Sequence, residues 1–493
     1  MTIHQSSADP RRSPAPRAGV ASRAGTVSCA GATVGTRGSA APGTRVRPSS
    51  VKPPATLDTG TPYVMRRRSM LLGGAGLAIA GALAACGPSG GAGATASAAS
   101  TTAPAPGSAA PAATAAAATA TGPAAAPEYH EASASNTALT AGTWSGAIGD
   151  KTMTLSGAYL VNGIEATIDG GTFESTSADE AVFLVVGGGS LTITNARINK
   201  SGDASTDGQH GVDDSYNFYG LNSAVVVVGE GSTATVRQTA LTTNSSGSNA
   251  VVATGSATAT VTGCGISTTG ESSRGLHATY AGVINGSDLT IETQGAHCAA
   301  VATDRGSGTV VVDGANTFTT SGDGSPCIYS TGEITVSGLT GTANGAQAVV
   351  VEGKNHATVT DSTLVTASQT GGVMLYQSMS GDAADSDAAK EVSTLVMTGV
   401  SLTCTQSVPI LYVTNTSSRA TLTGCTLQTP GGLVTADEDR WGRTGSNGGE
   451  LTLVLDATSS DGAITAGSTS SITVTTSNGG AATGATSGNV TVS

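Results

Sequence analysis

Aromatic residues make up 3% of this 493-residue chain and charged residues 11%, where an ordinary globular protein carries roughly 25% charged residues. So few large apolar side chains exclude a compact core built on Phe, Trp and Leu. Basic residues are scarce and scattered beyond the N-terminal region: residues 87–493 hold 11 Lys/Arg against 32 Asp/Glu. That balance excludes a nucleic-acid surface, which needs clustered positive charge. Acidity so dispersed serves solubility first and cation binding second. No segment shows an apolar stripe of 3.6-residue period at helical length, so a helical bundle is excluded too. A serine-nucleophile elbow, a phosphate-binding glycine loop and an HExxH pair are all missing.

What the chain has instead is Gly, 69 residues of it, with Ala, Thr and Ser, arranged in a repeat. Short alternating runs such as SLTITNARI (190–198), TATVTGCGI (258–266), HATVTDSTL (356–364) and RATLTGCTL (419–427) recur along the chain. Their phase markers are Ala196, Thr239, Cys264, Ser287, Ala315, Leu339, Ser362, Val400 and Cys425. Between them lies a second series, including NAVVATG (249–255), QAVVVEGK (347–354) and PILYVTN (409–415). Each period therefore holds at least two short strands separated by Gly, Asn, Asp and Ser turns. One such coil cannot bury its apolar face alone, but coils stacked at about 4.8 Å build a continuous narrow core. Small residues suit that bore. A propeller blade needs four strands in about 40–45 residues, and a leucine-rich horseshoe needs spaced leucines; neither pattern is present.

The N-terminal region divides by composition. Residues 1–64 are rich in Pro, Arg, Ser and Gly and carry no fold; they read as a mis-called extension upstream of a true start at Met65, with a disordered cytoplasmic tail as the alternative. Residues 65–86, MRRRSMLLGGAGLAIAGALAAC, have a basic head and an apolar stretch too short to span a bilayer comfortably. Leu83-Ala84-Ala85-Cys86 resembles the bacterial lipobox, and Arg67-Arg68-Ser69-Met70-Leu71 resembles a twin-arginine export motif. These resemblances imply diacylation at Cys86, export guided by Arg67 and Arg68, and residence at the outer face of the cytoplasmic membrane. Two acyl chains suffice for stable anchoring. An uncleaved single-pass anchor is the alternative. Residues 87–127, almost wholly Ala, Thr, Pro, Ser and Gly, form a linker stiffened by proline.

The domain 128–493, over roughly 140–493, resembles the right-handed parallel β-helix proteins, the pectate-lyase-like superfold, and specifically bacterial surface lipoproteins described as adhesin-like. The implied fold class is an all-β, single-domain solenoid behind a disordered N-terminal region. The architecture hosts lyases, hydrolases, adhesins and inert spacers, so function has to be argued from side chains. Five cysteines fall in the domain, Cys264, Cys298, Cys327, Cys404 and Cys425, and none is spaced as CxxC. They read as buried small hydrophobes, with one inter-coil disulfide as the alternative.

Two groups of residues are candidate sites. The first is a turn line after the second series of strands: Asp304, Arg305, Glu352, Lys354, Gln377, Asn415 and Trp441. Equal phase puts them along one edge, where turn side chains project and add little to the core. The second is the insertion 199–222, with Asp203, Asp207, Asp213 and Asp214 beside Tyr216, Phe218 and Tyr219. Carboxylates with aromatic faces suit calcium and sugars, although the spacing matches no EF-hand; a loop pinned by three aromatics is the plainer account. The expected function is non-catalytic binding of cell-wall or environmental glycans or of surface proteins, with no cofactor beyond possible calcium. The alternatives are a β-helix polysaccharide lyase or glycoside hydrolase, and a structural stalk.

Overall fold

Each coil contains three strands, where the sequence reading required at least two. The computed structural model describes residues 138–205, 214–378 and 392–493. Its strands form three long sheets. The first has 13 strands, from Glu165–Asp169 to Val490–Val492, and the second has 10, from Thr172–Ser175 to Thr426–Gln428. The third has 14, from Gly142–Ile148 to Thr486–Ser487. The chain visits them in the order first, second, third and then starts the next coil. Neighbouring coils pair in parallel, and among the described residues only Gly142–Ile148 pairs antiparallel, with the strand after it. This is a right-handed parallel β-helix, the hand that strand crossovers within one sheet adopt.

Side-chain alternation builds the core. In Thr258–Thr262, Ala259 and Val261 point inward and the threonines outward. The next strand begins after one residue in left-handed backbone, such as Asn195 (φ 55°), Gln238 (φ 46°) or Asp361 (φ 48°), or after glycine. The residue after that bend forms an inward corner line. Leu289 and Asn316 occupy it, not Ser287 and Ala315 as the turn pattern suggested. Asn285-Gly286 reads as a turn dipeptide but lies within the strand Val283–Ser287. Gly286 faces inward there, where a Cβ would stand 2.9 Å from Leu289 Cδ1. The bend is at Asp288 (φ 55°) instead, and Asn316 Oδ1 accepts the Leu289 amide at 2.9 Å.

Polar corner residues stitch one coil to the next. The amide of Ser248 donates to Ser273 Oγ, that of Ser273 to Cys298 Sγ, and that of Cys298 to Ser325 Oγ. Cys298 thus stands in a serine line. All five cysteines of the domain are buried and unbridged, and burial raises the Cys327 and Cys298 thiols to about 12. An inward threonine line (Thr243, Thr268, Thr293) ends three successive strands of the second sheet, each hydroxyl donating to a carbonyl of its own turn. Lys200 pairs with Thr243 in that register, and its buried ammonium donates to the Ser177 and Gly202 carbonyls at 2.9 and 2.6 Å.

The third sheet differs from the other two. Several of its strands are buried at every position, as in Val225–Val228, Val251–Thr254 and Val349–Glu352. A run without alternation is the mark of a sheet covered on both faces. Something must therefore lie on its outer side.

Candidate functional site

Two covers lie on that outer side, and they carry both groups of candidate residues. The outward positions of the third sheet are aligned by its register: Val252, His277 and Ala302 in successive coils, then Tyr329, Val350, Met374 and Tyr412. Two residues further along each strand come Thr279, Glu352, Tyr376 and Thr414. Asp304 and Gln377 directly follow strands of this sheet.

The first cover is the short helix Asp214–Tyr219 from the insertion. Phe218 and Tyr219 pack on Leu184, Val186, Val226, Val228 and Val252. Tyr219 stacks on Tyr280 with centroids 5.5 Å apart, and the Arg305 guanidinium lies 4.2 Å from the Phe218 ring centroid. Tyr216 turns the other way and donates to Asp179 Oδ1 at 2.5 Å. Beneath the helix, His277 Nε2 donates to the Asn217 carbonyl at 2.8 Å while Nδ1 has no partner. Arg274 donates to Asn217 Oδ1 and pairs with Asp304 at 3.6 Å. Burial, reinforced by the Arg274 charge, lowers the His277 pKa to about 3; the ring is neutral at physiological pH. Asp304 and His277 are 1% and 0% exposed. They are buried members of this network, not projecting turn residues.

The second cover is the segment 437–448. Asn447 Nδ2 donates to the Asp439 and Trp441 carbonyls, fixing the loop, and Trp441 packs against Tyr376 with centroids 5.2 Å apart. Glu352 sits beneath, 3% exposed, and its Oε2 accepts hydrogen bonds from the Tyr329 and Tyr376 hydroxyls. Burial and the Glu352 charge raise the Tyr376 pKa well above its ordinary value. Tyr412 donates to Asp439 Oδ2 at 3.0 Å, and the Arg440 guanidinium stands 4.6 Å over Trp441. Asn415 Nδ2 donates to the Gln377 carbonyl at 2.6 Å, joining two members of the turn line across a coil. Lys354 lies half-buried in the turn after Val349–Glu352. Tyr329, Tyr412 and Trp441 are half-buried around Val350, Met374 and Tyr376. Sequence reasoning missed Tyr329, Tyr376, Tyr412 and Asp439. The signal for them was the doubly apolar strand type, in which an outward tyrosine has to be covered.

Asp203 Oδ1 accepts the Ser246 amide at 2.9 Å, and among the described residues no three His, Cys, Asp or Glu side chains gather as a metal-holding group. Asp207 and Asp213 lie outside the described residues, as do Arg67, Arg68, Cys86 and the linker. No protein family, curated protein or solved structure matches this chain.

Proposed function

We propose that this chain is a lipid-anchored, exported binding protein. Its third sheet and the 437–448 segment docked on it together present a glycan-binding surface of Tyr329, Tyr412 and Trp441 with Asp439, held in place from beneath by Glu352. The observation that carries this reading is the gathering of four aromatic rings around two carboxylates on one outer face, in a chain only 3% aromatic. Aromatic faces stack on the apolar faces of sugar rings, while carboxylates and hydroxyls take the sugar hydroxyls. Part of each of the three half-buried rings is left to meet a ligand. The Glu352 carboxylate is committed to two tyrosine hydroxyls and Asp304 to Arg274, which favours binding over lyase or hydrolase chemistry. Export and anchoring rest on the lipobox-like Leu83–Cys86 and the Arg67-Arg68 pair. The test is a glycan-array screen of the protein and of its Tyr412→Ala/Trp441→Ala variant. Loss of captured glycans at unchanged melting temperature supports the reading; equal capture by both proteins refutes it.

A further inference from the structure

We propose that the buried Lys200 amine condenses with the side-chain amide of Asn222, forming an isopeptide cross-link inside the domain. Lys200 ends the strand Arg197–Lys200 and is 1% exposed, and Asn222 is wholly buried. The parallel register gives each of them a counterpart one coil later. Lys200 pairs with Thr243, while Asn222, three residues before Val225, corresponds to Ser248, three before Val251. In that next coil the Thr243 hydroxyl donates to the Ser248 carbonyl at 2.8 Å. The two positions are therefore neighbours across one corner of the solenoid. Threonine and serine suffice there in the following coil, so packing alone does not require a lysine beside an asparagine.

One acceptor holds the pair together. Lys200 Nζ donates to the Gly202 carbonyl at 2.6 Å, and Asn222 Nδ2 donates to the same oxygen at 2.7 Å. Amine and amide are thus no farther apart than those two bonds laid end to end. The other Nζ bond goes to the Ser177 carbonyl at 2.9 Å, and among the described residues Nζ has no third partner. Two acceptors match the two hydrogens of a neutral amine and leave its lone pair unoccupied, whereas an ammonium buries a third hydrogen unpaired. Burial lowers the Lys200 pKa to about 8, against the pull of Glu180, Asp179 and Asp203. Part of the population is then the nucleophilic neutral form near neutral pH. Asn222 Oδ1, for its part, is buried with no hydrogen-bond partner. A buried oxygen left unpaired costs stability, and a purely structural role for Asn222 does not account for that cost.

The Nζ lone pair attacks Asn222 Cγ and forms the new C–N bond. The bond from Cγ to Nδ2 then breaks, and Nδ2 leaves as ammonia with the proton that Nζ gives up. Glu180, the carboxylate that acts most strongly on Lys200, carries that proton between the two nitrogens. No oxidant, reductant or cofactor takes part. The link joins both ends of the insertion bearing the helix Asp214–Tyr219, and so fastens the base of the Phe218 and Tyr219 cover.

The experiment is a tryptic peptide map of the denatured full chain, read by mass spectrometry. Between Arg197 and Arg237 the sole tryptic site is Lys200. The linked protein should give residues 198–237 as one peptide, uncut after Lys200 and lighter than its sequence by one ammonia. Its fragment ions should join 200 to 222. Lys200→Arg and Asn222→Ala should each restore cutting at position 200 and peptides of full mass. Cutting after Lys200 in the parent protein overturns the proposal, and that result needs no variant to fold. An Asn222→Ala protein that stays uncut overturns it as well. So does a parent peptide lighter by one water, because a carboxylate is then the partner.

Discussion

At the scale of single residues, the structure reverses the expectation for the turn line. Asp304 and Glu352 occupy turns or strand ends, where polar residues ordinarily face water, but each is buried under a cover and partnered. Their alignment was legible in the repeat phase. Their burial was not, because the covers come from distant insertions whose docking no local pattern announces. The neighbouring His277 gives a measurable consequence. Its imidazole is neutral in the fold, with a pKa lowered from 6.5 to about 3, whereas in the unfolded chain it protonates near 6.5. The unfolded state therefore takes up the extra proton, and stability falls as pH drops from about 6.5 toward 3, at up to about 1.4 kcal/mol per pH unit from this group. His277→Gln should remove that contribution. Denaturant midpoints of parent and variant, compared from pH 7 to pH 4, should converge as acid is added; a constant difference between them would falsify the assignment.

At the scale of elements, the three sheets obey different rules. The first and second alternate buried and outward residues, and that pattern was read correctly as strands from the sequence. The short second-sheet strands, such as Ala240–Thr243 and Gly265–Thr268, are set off from their predecessors by a single bent residue. The third sheet is visible in the sequence as the second series, and its unbroken apolar runs require cover on their outer side. The helix Asp214–Tyr219 is that cover for one end, so its aromatics are structural. Phe218→Ala should expose Val226, Val228 and Val252 and remove the ring beneath Arg305, destabilising the protein by about 3–5 kcal/mol. Denaturant unfolding measures this, and a cost below about 1 kcal/mol would mean that the helix does not hold this face.

At the scale of the whole molecule, the sequence foretold an all-β solenoid because a coil repeat of small residues has few other ways to bury itself. It put Glu352 and Trp441 on one edge but not Tyr329, Tyr376 or Tyr412, which lie within strands that read only as apolar runs. Anchoring belongs to this scale as well. Cys86→Ser should leave the precursor unprocessed or free the protein from membranes, and membrane fractionation of parent and variant decides it. Persistent membrane association of the Cys86→Ser protein would contradict lipidation there.

The glycan-binding claim is tested most directly by tryptophan fluorescence, because the chain has two tryptophans and one of them, Trp441, packs on Tyr376 in the proposed surface. Trp144→Phe leaves Trp441 as the sole reporter, and Trp441→Phe leaves Trp144. Titration with a captured glycan should shift the emission of the Trp144→Phe protein saturably and leave the Trp441→Phe protein unchanged. A saturable shift in the second protein and none in the first would place the binding surface elsewhere and contradict this account.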